Sequence, residues 1–140
     1  MPWHAILKIM HKIPPEPRYG TRETVDDLSS KLNLRFEEWM QDWPYEVANA
    51  DDIDDYINYY RLTADDDRKF LLMQAIVQAT TDQREQTDFQ KYWSIIEPLL
   101  RQDFKLHEYT VFYWSCFDTE DLDDCWIIAS NMRQLWNEFN

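Results

Sequence analysis

Chemistry in this chain would have to come from two cysteines, three histidines or 27 acidic side chains. Cys116 and Cys125 stand nine positions apart and form no CxxC. A structural zinc site needs four ligands at closer spacing, so they read as two reduced, partly buried thiols, free cysteine behaving as a small hydrophobe. A cysteine nucleophile needs a histidine base beside it in space, and nothing in the pattern pairs His107 with Cys116. "HEYTV", from His107, opens like a zinc-protease helix, but Val111 stands where the second histidine belongs. Di-metal bundles place Glu three residues before His, and the residues three before His4, His11 and His107 are Met1, Lys8 and Phe104.

The carboxylates do no better as catalysts or ligands. A calcium loop wants Gly at its sixth position and Glu at its twelfth. Counted from Asp118 these are Asp123 and Ala129; counted from Asp51 they are Tyr56 and Leu62. Carboxylate pairs suited to glycoside hydrolysis are inevitable among 27 acids and carry no signal. The single glycine, Gly20, excludes the glycine-rich loops that cradle phosphates. No enzymatic activity, cofactor or metal site is expected.

The placement of the acids says more. Aspartates at helix starts accept from free amides and complement the dipole, which accounts for Asp51, Asp52, Asp65 and Asp66. Capping takes one or two carboxylates, yet there are four within 51–55, three within 65–67 and five within 118–124. Each like-charged i,i+4 pair costs about 0.2–0.5 kcal/mol. A basic partner gives that excess a use, because complementary charge speeds association. Aromatics dominate interface hot spots, and Tyr59 and Trp126 stand beside the acids. The candidate partner-binding residues are therefore Asp52, Asp55, Tyr59, Asp118, Glu120, Asp121, Asp123, Asp124 and Trp126. Tyr59 lies off the apolar stripe of its helix and is expected to be more exposed than Trp126, which the apolar "IIAS" follows.

The elements that must position these residues are helical. A chain of 140 residues, 44% hydrophobic and 16% aromatic, suits one domain with a real core. A short N-terminal element and its Pro-rich connector "IPPEPRYG", together residues 1–20, precede an acidic all-helical domain over 21–140. Val25, Leu28, Leu32, Phe36 and Trp39 share one helical face, which Pro44 closes. Ile53, Tyr56, Ile57 and Tyr60 mark a second, amphipathic helix. Thr63 reads as the cap of a third, whose "FLLMQAIVQA" is apolar nearly all round and belongs at the centre. Phe89 to Leu100 form a fourth that Pro98 should kink or split. Residues 109–117 suit helix or strand, helix being favoured, and Ser130 reads as the cap of the last helix. The fold class is all-α: a compact domain of five or six helices, those between Asp51 and Phe117 able to stack as antiparallel pairs.

The net charge is −13, with +2 over residues 1–20 and −15 over the rest. Such a body repels nucleic acid and anionic membranes and attracts basic surfaces. No apolar run approaches the ~20 residues that span a bilayer, and Lys8, His11 and Lys12 interrupt any leader-like segment. A cytoplasmic location is expected.

Three stretches carry a family resemblance: "YYRLTADDDRKFLLMQAIVQA", "YWSIIEPLL" and "LHEYTVFYWSCFDTEDLDDCWIIASNMRQLW". Over Tyr59 to Trp136 the chain resembles bacterial immunity proteins of contact-dependent growth inhibition and related polymorphic-toxin systems. The resemblance implies a small acidic protein that binds and neutralises a cognate toxin domain, frequently a nuclease. It assigns no residue to the contact, since those differ between pairs. A nuclease cleft binds a polyanion and is basic, which fits an acidic inhibitor. Two other readings of the acidity stand beside this one. A nucleic-acid mimic would sequester a DNA-binding protein, and an acidic chaperone or adaptor would hold a secreted effector.

Overall fold

The computed structural model describes residues 13–32, 34 and 43–140. All regular structure among them is helical, six α-helices and two 3₁₀ turns with no strand, so the fold class is all-α. Contacts gather the chain into two units, one of residues 19–102 and one of residues 13–18 with 103–140. The residues expected to form the N-terminal element, up to position 12, lie outside the described residues.

In the first unit, α1 spans Arg22–Lys31. Thr21 caps it, its hydroxyl accepting from the Thr24 amide at 3.2 Å. Leu28 is fully buried while Val25 and Leu32 are half-buried. Leu32 ends the helix, short of the run foreseen; Phe36 and Trp39 lie outside the described residues. Gly20, just before the cap, lies so close to Leu71 that a Cβ there would come within 2.5 Å of its side chain.

A 3₁₀ turn, Ala50–Asp52, leads into α2, Ile53–Leu62, and α3 follows over Asp66–Thr81. In α2 the four predicted stripe residues, Ile53, Tyr56, Ile57 and Tyr60, are all buried. The cap of α3 is not Thr63. Thr63 closes α2 instead, and Asp65 accepts the Arg68 amide at 3.0 Å. Carboxylates and hydroxyls compete for the same free amides, and here the carboxylate lies one turn before the amide it bonds. Phe70 to Val77 are buried without interruption, so α3 is the central helix of its unit, packed against α1, α2 and α4.

Helix α4 runs Gln86–Gln102 with Pro98 inside it, and it does not split. Phe89, Tyr92, Trp93, Ile96 and Leu100 form its buried side, while Pro98 and Ser94 are exposed. The carbonyl that the proline leaves without its amide partner thus belongs to the wetted face, where solvent replaces the lost bond.

In the second unit, α5, Phe104–Ser115, packs on α6, Ala129–Phe139. The ambiguous 109–117 stretch is helical to Ser115, with Thr110, Val111, Trp114 and Ser115 buried, as is His107 before it. Phe104 stacks on Phe139 at 4.1 Å, and Phe112 meets Trp136 edge-on at 5.0 Å. Ser130 does not cap α6. The helix begins one residue earlier, behind Ile128, with no side-chain cap. Buried Ile128 anchors that end by packing instead. No described helix is long and apolar enough to cross a membrane.

Candidate functional site

The second unit is acidic on the outside and aromatic beneath. Between 103 and 140 there are eight acidic residues against Lys105 and Arg133. Exposed Lys105 pairs with Glu108 at 3.2 Å, and Arg133 turns inward.

Arg133 organises the site. Helix α5 ends at Cys116, whose φ of 57° puts a non-glycine residue in the left-handed region. That conformation costs roughly 1–2 kcal/mol and persists where the surroundings hold it. The Arg133 guanidinium does so, Nε donating to the Ser115 carbonyl at 2.6 Å and Nη2 to those of Cys116 and Thr119 at 2.6 and 2.7 Å. The fork thereby closes the carbonyl end of α5, where a cation also complements the helix dipole. Its flat face lies over the Phe117 ring, 5.4 Å from the centroid. Sequence pattern did not single out Arg133; its one signal was being the only cation after the acidic run.

From that clamp the acidic loop runs outward. Asp121 accepts the Asp123 amide at 2.9 Å and so folds the 3₁₀ turn Leu122–Asp124. Asp118, Glu120, Asp121, Asp123 and Asp124 are all exposed. Among the described residues, no cation pairs with Asp118, Glu120, Asp123 or Asp124.

Trp126 follows the loop and is 40% exposed, as Tyr113 is 42%. The two rings stack at 5.5 Å with 24° between planes, and Trp126 also leans on Trp114 at 4.6 Å. They border a groove of about 590 Å³ in which Tyr109, Phe112 and Phe117 provide further rings and Asp118 a carboxylate. A concave aromatic surface with a carboxylate at its edge suits a cation, which the ring faces and the charge both attract.

Within the same unit, the thiols of Cys116 and Cys125 meet, with their sulfur atoms 2.6 Å apart. Both are free and half-buried. Burial, and then the neighbouring Cys116, push the Cys125 thiol up to about 11.

The other candidates lie in the first unit. Asp52, Asp55 and Tyr59 line a shallower groove of about 390 Å³ with Lys31, Leu32, Asn58 and Leu62. This surface already contains its own cation. Lys31 lies 5.9 Å over the Tyr59 ring and pairs with Asp27 at 2.9 Å. Asp27 also accepts from Arg68 Nε at 2.8 Å and from the Tyr59 hydroxyl at 3.3 Å. Bonds from Lys31 and Arg68 hold the Asp27 carboxyl down at about 2. Tyr59 is half-buried and Trp126 exposed, the reverse of the order expected. Tyr59 is tied down by Asp27 and Lys31, both from another helix, whereas only one of the two isoleucines after Trp126, Ile128, turns inward.

The acids of 51–55 and 65–67 therefore serve the fold in part. Asp54 accepts the Tyr92 hydroxyl at 3.0 Å, and Asp65 caps α3 while pairing with Arg68 at 3.0 Å. Of the acids in 118–124, only Asp121 is bonded into local structure.

Among the described residues, no group of three His, Cys, Asp or Glu side chains is disposed to hold a metal ion. Comparison with protein-family models, with curated proteins and with solved structures finds no match.

Proposed function

We propose that this chain is an immunity-type inhibitor that binds and neutralises a cognate, basic toxin domain, a nuclease being the best-suited class. One observation carries the reading. Four exposed carboxylates without cation partners lie on one loop of the second unit, residues 118–124, and one of them, Asp118, lines the aromatic groove that Trp126 and Tyr113 border. A self-contained domain would place carboxylates where they cap or pair, as it does at Asp54 and Asp65. Unpaired charge beside half-exposed Trp126 and Tyr113 combines steering with aromatic anchors. An Arg or Lys of the partner would enter between ring faces and carboxylates. The residues of first choice are Asp118, Glu120, Asp121, Asp123, Asp124 and Trp126. Asp52, Asp55 and Tyr59 form a second, weaker surface, because Lys31, paired with Asp27, lines the same groove and offsets part of its negative charge. The action is by binding, not catalysis, and its place is the cytoplasm, where a nuclease would act on the cell's own nucleic acid.

The test is calorimetry against the C-terminal domain of the protein encoded immediately upstream, at low and high salt. One-to-one binding that weakens with salt, and that reversal of Asp121, Asp123 and Asp124 to Lys reduces at least tenfold, supports the reading. Unchanged affinity in that variant would move the interface elsewhere. Absence of binding by the folded protein would redirect the search to DNA-binding proteins, which a mimic would capture in competition with DNA.

A further inference from the structure

The geometry points to Cys116 and Cys125 as a dithiol that closes into an intramolecular disulfide in exchange with a low-molecular-weight disulfide, covalently sealing the acidic loop between them. This closure is separate from toxin binding and requires no toxin partner.

The two residues are nine apart in sequence and come from different elements, the C-cap of α5 and the residue after the 3₁₀ turn. Their sulfurs nevertheless lie 2.6 Å apart, inside the contact distance of about 3.5–4.0 Å usual for nonbonded carbon atoms. A covalent bond of about 2.05 Å thus needs only a small further approach. The surrounding bonds hold both ends in place. Arg133 grips the Cys116 carbonyl at 2.6 Å, and the Cys125 amide donates to the Leu122 carbonyl at 3.1 Å. The left-handed backbone of Cys116 ends α5 at this point, where Arg133 fixes it, and the Cys116 sulfur meets Cys125 from there. Both residues are half-buried rather than sealed in the core, which leaves the pair open to a small disulfide.

One cysteine thiolate attacks the small disulfide; a mixed disulfide forms and one small thiolate leaves. The second cysteine thiolate attacks the protein sulfur of the mixed disulfide. The Cys116–Cys125 bond forms and the second small thiolate leaves. Two protein thiols are oxidised, one small disulfide is reduced to two thiols, and the two cysteine protons end on the leaving thiolates. The Cys125 thiolate is needed in either order of attack. Because burial raises that thiol, closure is slow at neutral pH and speeds up, roughly tenfold or more, between pH 7 and pH 9.

The experiment treats the full-length reduced protein with glutathione disulfide. Titratable thiols should fall from two to none, with an intact mass lower by about 2 Da and no stable adduct. Trypsin cannot separate the pair, since no Lys or Arg lies between residues 116 and 125. An Asp-directed protease can, at Asp118, Asp121, Asp123 or Asp124, and the resulting fragments should stay joined until reductant is added. Cys116→Ser and Cys125→Ser should each stop at a stable mixed disulfide. Two thiols persisting at pH 9, a wild-type protein that stops at the mixed disulfide, or fragments that separate without reductant would each overturn the proposal. So would disulfide-linked dimers in place of the closed monomer.

Discussion

At the residue scale, two charged nodes decide what the structure can do. Arg133 satisfies three carbonyls at the end of α5 and holds Cys116 in its strained conformation. Arg133→Ala should destabilise the protein by about 2–3 kcal/mol, since hydrogen bonds to charged donors are the strong ones. Arg133→Lys should recover only part, because an ammonium lacks the planar fork. Urea denaturation reads both. Asp27 is the second node. Its folded carboxyl sits at about 2, below the unfolded value near 3.9, so its contribution is complete above pH 4 and disappears as pH falls through 2. Asp27→Asn should therefore cost about 1–2 kcal/mol at pH 7 and much less at pH 2, with the two stability curves converging in acid. Trp126→Ala tests the groove: stability should change little at a ring 40% exposed, while affinity for the partner falls by at least about 2 kcal/mol. Neither node was visible in the sequence. Asp27 lies 41 residues from Arg68 and Arg133 lies 17 from Cys116, and only tertiary packing joins them.

At the element scale, periodicity was a sound guide and end signals were not. The stripe of α2 is buried as its spacing required, those of α4 and α6 are buried except for half-buried Leu99 and exposed Phe139, and the all-round apolar run of α3 lies at the centre of its unit. Burial face follows from a 3.6-residue period that any long helix must share. Caps follow from one amide and one side chain, so a neighbouring residue can displace the expected one, as Asp65 displaced Thr63. Pro98 shows the same dependence on context. It lies in an unbroken helix on the exposed face, so Pro98→Ala should stabilise α4 by about 1–2 kcal/mol, the helical gain partly offset by a looser unfolded chain. Gly20→Ala should do the opposite. Its new methyl would meet buried Leu71, and overpacking of this kind costs about 1–3 kcal/mol. Thermal unfolding of the two variants should shift in opposite directions.

At the scale of the whole molecule, charge is the dominant variable. A net charge of −13 makes self-repulsion a standing cost of compactness. Raising salt from about 0.01 M to 0.15 M shortens the screening length from roughly 30 Å to 8 Å, so the melting temperature of the free protein should rise while its affinity for a basic partner falls. Opposite salt trends in the two measurements would separate folding electrostatics from binding electrostatics; parallel trends would show that the acidic loop does not set affinity. The sequence by itself determined the helical class, the buried faces and the acidity, because composition and a 3.6-residue period are properties of the chain before it folds. Only the tertiary structure decided which acids serve the fold and which remain unpaired, which aromatic ring stays exposed, and that two distant thiols adjoin. Those depend on which side chains from other elements arrive beside them, and no local spacing encodes that.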